Sequence, residues 1–67
     1  MDIKIKFGKK VKFLRTERGW SQEKLALTAD LDRTYVPGIE KGERNVSITV
    51  IQKIADAFKV EIIELFK

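Results

Sequence analysis

The stretch from Gly19 to Glu40, GWSQEKLALTADLDRTYVPGIE, constrains this chain more than any other. Ser21 and Gln22 open a short amphipathic run in which Leu25 and Ala26 face inward. A tight Ala29-Asp30-Leu31 turn follows it. Asp32 then opens a second run, with polar residues at its start and aliphatics at its back. The expected product is two short helices joined by a turn of three to four residues.

The rest of the chain leaves little room for other architectures. With 67 residues it is expected to form one domain, 1–67. A chain of this size buries roughly 60% of the surface its unfolded form exposes, so its core is small. There is no Cys to staple it, and no His or thiolate to suggest a metal. Oligomerisation remains as a source of extra stability. The absence of Cys fits a reducing cytoplasm. No apolar run is long enough to span a membrane, and the N-terminal residues lack a signal peptide's apolar core.

The periodicity predicts five short helices. The first covers about 5–18, with Phe7, Val11 and Leu14 as one buried stripe and Gly19 as a terminator free to take positive φ. MDIKIKF ahead of it reads as an ordered arm or as the first helical turn. The second covers about 22–28, with Ser21 as N-cap. Lys24 stands where a full capping box needs Glu or Gln, so half of that motif is present. The third covers about 33–41, capped by Asp32 and ended by Gly42, with Leu31, Val36 and Ile39 directed to the core. Ser47 caps a fourth over about 48–58, striped by Ile51, Ile54, Ala55 and Phe58. A fifth, over 61–66, is short.

Two short helices joined in this way make a helix-turn-helix unit, spanning about 21–41 here, whose second helix enters the DNA major groove. The runs QEKLA (22–26), LDRTYV (31–36), GIEKG (38–42), RNVS (44–47) and IADAFKVEIIEL (54–65) resemble the Cro and phage-repressor class of helix-turn-helix proteins, in order and over nearly the whole chain. Within that class, DRTYV-GIE-G-RN-S is most similar to controller proteins of restriction-modification systems. The resemblance implies an all-α, lambda-repressor-like domain of five helices that dimerises and binds a symmetric operator.

Charge agrees with a polyanionic partner. The net charge is +4 and the isoelectric point about 9.6. Lys4, Lys6, Lys9, Lys10, Lys12, Arg15, Arg18 and Lys24 crowd the first third, as a solvated helix face or as a phosphate-facing one. Arg33, Thr34 and Tyr35 fall in the first turn of the expected recognition helix, where side chains meet base edges. Arg33 suits a bidentate contact to guanine O6 and N7. Thr34 offers a hydroxyl and a methyl. Tyr35 reaches the backbone, lies against a base, or is a half-buried packing residue. For the DNA backbone the candidates are Ser21, which is also a cap, Gln22 at a helix N-terminus, and Lys41. The resemblance adds Arg44 and Asn45 there. It also implies that Arg15 and Glu40 form an internal ion pair joining the first helix to the third; the competing role for Arg15 is another phosphate contact.

Two departures from the family pattern bear on this surface. Asp30 stands where the turn usually has Gly, at a position that wants a left-handed backbone. Pro37 precedes Gly38 inside the expected recognition helix. With Asp32 as N-cap, Pro37 is the fifth helical residue and kinks the helix at a cost of about 3 kcal/mol. If the helix starts near Thr34 instead, Pro37 sits harmlessly near its first turn.

The C-terminal end is rich in apolar groups. Phe58, Val60, Ile62, Ile63, Leu65 and Phe66 are more than so short a segment buries in so small a core, and the resemblance places the dimer contact here, with Phe58, Val60, Ile62, Ile63 and Phe66 as candidates. Ile62 and Ile63 are adjacent and face different ways.

The sequence therefore points to a homodimeric transcriptional regulator that binds double-stranded DNA near promoters, within reach of RNA polymerase. By resemblance it controls a restriction-modification operon and its own gene. The alternative is an antitoxin-like or adaptor domain of the same fold that engages another protein; Pro37 keeps it open. No cofactor, metal or small-molecule ligand is expected, and no enzyme activity, since no catalytic or phosphate-loop motif is present. Membrane attachment is not expected either.

Overall fold

A computed structural model describes residues 2–67. Its elements run in the order α1 (Ile3–Glu17), α2 (Gln22–Thr28), α3 (Tyr35–Glu40), α4 (Ile48–Phe58) and a closing 3-10 turn over Ile62–Phe66. The described residues form no strand. The four α-helices thus overlap the first four expected, with the starts of α1 and α3 displaced. The expected fifth is a 3-10 segment, because five residues give too short a ladder for α geometry; its defining bond runs from the Glu64 amide to the Glu61 carbonyl at 3.0 Å.

Side chains set three helix starts. The carboxylate of Asp2 accepts from the Lys4 amide, and the hydroxyls of Ser21 and Ser47 accept from the amides of Lys24 and Val50. The first helix therefore begins two residues earlier than expected, and the N-terminal segment is its first turn and not an arm.

The four α-helices end alike. Each chain end turns through one left-handed residue: Gly19 (φ 69°), Asp30 (57°), Gly42 (75°) and Lys59 (59°). The amide after each donates back to a carbonyl five residues earlier: Trp20 to Arg15, Leu31 to Ala26, Glu43 to Gly38 and Val60 to Ala55, at 2.8–3.1 Å. This is the Schellman arrangement. Trp20, Leu31 and Val60 then fold back, half-buried, against the core. Asp30 takes the strained conformation expected of it, and Lys59 does so without any sequence signal.

The third helix differs most from expectation. It starts at Tyr35 and not at Arg33. The Asp32 carboxylate accepts from the amide and the hydroxyl of Thr34, at 2.9 and 2.7 Å, and the Tyr35 amide donates to the Asp32 carbonyl. This closes a turn ahead of the helix and makes Thr34 the N-cap. Pro37 becomes the third helical residue, where a backbone N–H has no intrahelical acceptor in any case. Its ring costs no helical hydrogen bond, and its carbonyl still accepts from Lys41 at 3.1 Å.

The core is Phe7, Val11, Leu14, Leu25, Ala26, Ala29, Val36, Ile39, Ile54, Ala55, Ala57, Phe58 and Leu65, all buried. Helix α1 is its spine, packing on α3 along one side and on the 3-10 turn along the other. Gly8 makes the first contact possible: a Cβ there would collide with the backbone carbonyl of Ile39. At the other end of the same contact, a Cβ on Gly42 would lie 2.8 Å from the Ile5 Cα. Gly8 lets helix backbone approach helix backbone, and Gly42 lets the turn after α3 approach the start of α1.

Helix propensity alone makes Gly8→Ala stabilising by about 1 kcal/mol. The geometry reverses the sign. We expect Gly8→Ala to destabilise by about 1–3 kcal/mol, the usual range for overpacking. Urea unfolding would show this as a lower midpoint with an unchanged slope.

Candidate nucleic-acid interface

A nearly buried ion pair sits behind the candidate surface. The Arg15 Nε–H donates to Glu40 Oε2 at 2.6 Å and its Nη2–H donates to Glu40 Oε1 at 3.0 Å, a bidentate fork. Nη1 donates to the Trp20 carbonyl at 2.7 Å. The two side chains are 11% and 5% exposed. Hydrogen bonding to Glu40 raises the Arg15 pKa above its already high ordinary value. Arg15 is therefore enclosed in the fold and withdrawn from any phosphate.

Gln22 joins this network. Its Nε2 donates to Glu40 Oε1 at 3.1 Å, so the side chain expected at the DNA backbone is half-buried and tied inward. One carboxylate thus receives α1 through Arg15 and the start of α2 through Gln22, and it is carried by the end of α3. That fixes the angle between the two helices of the unit.

The outer surface is built on this frame. Ser21, Lys24, Leu27, Asp32 and Arg33 line one open groove of about 500 Å³ between α2 and the turn before α3. Arg33 and Thr34 are exposed in that turn. They lie two residues and one residue ahead of the helix, whereas the expected position was within its first turn; Tyr35 is its first residue. The Thr34 hydroxyl hydrogen is already given to Asp32, leaving its oxygen lone pairs and methyl free. Tyr35 is half-buried against the core, and the Arg44 guanidinium lies 4.2 Å from its ring centroid. Lys41 is exposed at the end of α3.

Other candidates are not gathered here. Asn45 is exposed but lines a separate apolar groove with Ile3, Phe7, Val46, Ile51 and Phe66. Lys6, Lys9 and Lys10 cluster with Lys67 around Phe13. Of the early basic residues, Lys24 shares the groove of Arg33.

At the C-terminal end, Phe58 is corrected from a surface role. It is 3% exposed, its ring stacks on Trp20 at 5.7 Å, and the Arg18 guanidinium covers it at 4.8 Å. Arg18 also donates to the carbonyls of Leu14 and Phe58, both at 3.0 Å, which bolts the end of α1 to the end of α4. Phe66 is half-buried and stacks on Phe7 at 5.2 Å. Val60 and Ile62 are half-buried, and Ile63 faces out at 63% exposure. Sequence reasoning missed the clamp of Arg18 and the close approach at Gly8. A glycine in the middle of a helical pattern was the available signal for the second. Arg18 resembled any surface cation.

A helix-turn-helix family model matches residues 11–65. The control protein C.MunI of a Mycoplasma species is 50% identical over 66 residues, covering 97% of this chain and 89% of that protein. The crystal structure of the restriction-modification controller protein C.AhdI from Aeromonas hydrophila superposes with a TM-score of 0.90 at 51% identity, covering 94% of this chain and 96% of that one. The structure of C.Esp1396I bound to a 25 base pair operator site superposes with a TM-score of 0.85 at 36% identity, covering 96% and 84%.

Two outcomes follow from the frame. Arg15→Ala leaves Glu40 buried without its charge partner and should cost about 3–5 kcal/mol, read by thermal or urea unfolding. DNA affinity should fall with the fold; a variant with unchanged melting but much weaker binding would reverse this assignment. Asp32 offers a pH test. Its carboxyl is held below the usual carboxylate range, first by the Thr34 amide, then by the Thr34 hydroxyl, with Arg33 and Arg44 assisting. A depressed pKa stabilises above the unfolded value, and the contribution is lost as pH falls through the folded one. An NMR titration should show the Asp32 carboxyl midpoint below that of an ordinary aspartate, with the Thr34 amide shift following it.

Proposed function

The chain belongs to the helix-turn-helix family, and from that premise we propose that it is a sequence-specific transcriptional regulator that binds a symmetric DNA operator as a homodimer. The observation that carries the reading is the pairing of exposed Arg33 and Thr34 at the opening of α3 with a relative of the same fold that was solved on its operator. The similarity to restriction-modification controllers supports control of such an operon, and of its own gene, from sites where RNA polymerase also acts.

In this reading Arg33 and Thr34 meet base edges, Arg33 through a bidentate contact to guanine, and the half-buried ring of Tyr35 supports the surface beside them. Ser21, Gln22, Lys41 and Arg44 contact the backbone, with Gln22 limited to its main-chain amide and the remaining side-chain N–H. The whole chain, 1–67, acts as one binding domain in the cytoplasm and catalyses no reaction. Val60, Ile62, Ile63 and Phe66 form the contact between two copies, with Ile63 at its centre. A two-fold dimer presents two recognition helices about 34 Å apart, one turn of DNA. The adaptor alternative drew its strength from a kinked recognition helix. Pro37 in the first turn of α3 removes that support.

Selection of random duplex DNA on the purified protein at physiological salt tests the reading. An inverted repeat with half-sites about one helical turn apart is expected. A folded protein that enriches nothing would sink it. On the selected duplex, Arg33→Ala should cost about 1–3 kcal/mol and relax one base position. Ile63→Asp should shift the protein to monomer in sedimentation and weaken operator binding, with the melting of the monomer little changed.

A further inference from the structure

We propose that Tyr35 is a positioning residue: its ring, reached across the bare surface of Gly38, holds the Arg44 guanidinium in its working place before DNA arrives. This rests on the reading of the surface as a DNA interface and adds a division of labour within it. Tyr35 contributes to affinity through Arg44, and its hydroxyl is dispensable.

Three observations point to this. The first is the contact itself, with the guanidinium carbon of exposed Arg44 4.2 Å from the Tyr35 ring centroid. That distance is well inside the range at which an aromatic face attracts a cation. The second is the ring's foundation. Tyr35 opens α3, is half-buried and packs on the core, so its ring is a fixed surface while Arg44 sits in a loop. The third is the path between them. Gly38 lies one helical turn beyond Tyr35, on the same face. A Cβ there would lie 3.7 Å from both Cβ and Nε of Arg44. The arginine stem therefore runs directly over Gly38, in space that a side chain longer than a methyl would fill. The loop is anchored at the same place, because the Glu43 amide donates to the Gly38 carbonyl at 3.0 Å.

A cation held over an aromatic ring suits an arginine that must bind something else. The contact uses no N–H hydrogen bond, so the guanidinium donors stay available. A long exposed side chain otherwise loses rotamer freedom when it engages a ligand. Here that freedom is lost on folding, so the arginine meets DNA already oriented. Lysine is a poorer substitute, since its ammonium is a compact, strongly hydrated charge without the planar fork of donors.

The test has one arm without DNA and one with it. In the free protein, ring current should move the Arg44 side-chain protons upfield in the NMR spectrum. The shift should persist in Tyr35→Phe and vanish in Tyr35→Leu and Gly38→Val. On a duplex enriched from the random pool, Arg44→Ala and Tyr35→Leu should each lose about tenfold or more in affinity, which corresponds to about 1.4 kcal/mol. The double variant should be no weaker than Arg44→Ala alone, because both remove one unit. Tyr35→Phe should bind like the parent, and Gly38→Val should lose affinity with Tyr35 intact. Unshifted Arg44 protons, losses that multiply, or a Tyr35→Phe variant as weak as Tyr35→Leu would each overturn the proposal. If the parent protein enriches no duplex, the DNA reading fails, and the NMR arm still decides whether the ring holds the arginine.

Discussion

The Glu40 carboxylate is the point on which the arrangement of helices depends. It is almost fully enclosed, and a carboxylate in that position is tolerable only when its lone pairs are occupied by donors, preferably charged ones. Arg15 supplies two N–H groups and the charge, and Gln22 supplies a third donor. A further Arg15 N–H goes to the Trp20 carbonyl, just past the end of α1. Three elements are thereby referred to one group: α1, the opening of α2 and the end of α3. Apolar packing brings those elements together, but it is not directional. The forked ion pair is directional, and it sets how α2 presents α3.

The glycines of α1 and of the α3 end serve the same purpose from the other side. A guanidinium reaches a carboxylate at 2.6–3.0 Å only if the helices that carry them are close. Gly8 permits that closeness, with the Ile39 carbonyl occupying the space of its missing side chain. Gly42 does so beside Ile5. The contact between α1 and α3 is therefore a backbone-to-backbone approach closed by an ion pair. Phe7 and Val11, on the same helix, fill the space beside it.

Much of this was legible in the chain, and the exceptions have physical causes. Apolar spacing located α1, α2 and α4, and Ser21 and Ser47 marked two starts correctly, because these signals are local. Asp30 adopts the left-handed turn conformation for the same reason. The start of α3 was ambiguous because Asp32 can cap a helix or close a turn with the residue two positions on, and the choice depends on where Pro37 must fall. The interior position of Phe58 was not legible. The stack with Trp20 and the cover by Arg18 join residues about 40 apart in sequence, the Arg18 to Phe58 hydrogen bond among them. The contact of Arg44 with Tyr35 is likewise a matter of loop path, which periodicity does not describe.

Pro37 shows how a local rule shapes the proposed interface. A proline can neither donate to the ladder nor follow a full turn of helix without collision. Its presence five residues after Asp32 therefore forces α3 to begin late, and the helix is left with six residues. Arg33 and Thr34 are then displayed from a turn fastened by the Asp32 carboxylate, and they do not lie along a helical face. A six-residue helix also has few outward positions to offer. Gly38 occupies one of them without a side chain, and Arg44 enters from the following loop to use that space. The surface thus draws on three segments: the end of one turn, the first residue of a short helix and the loop behind it. Its geometry is held less by the length of the helix than by Asp32 at the front, Glu40 beneath and the Tyr35 ring at the side.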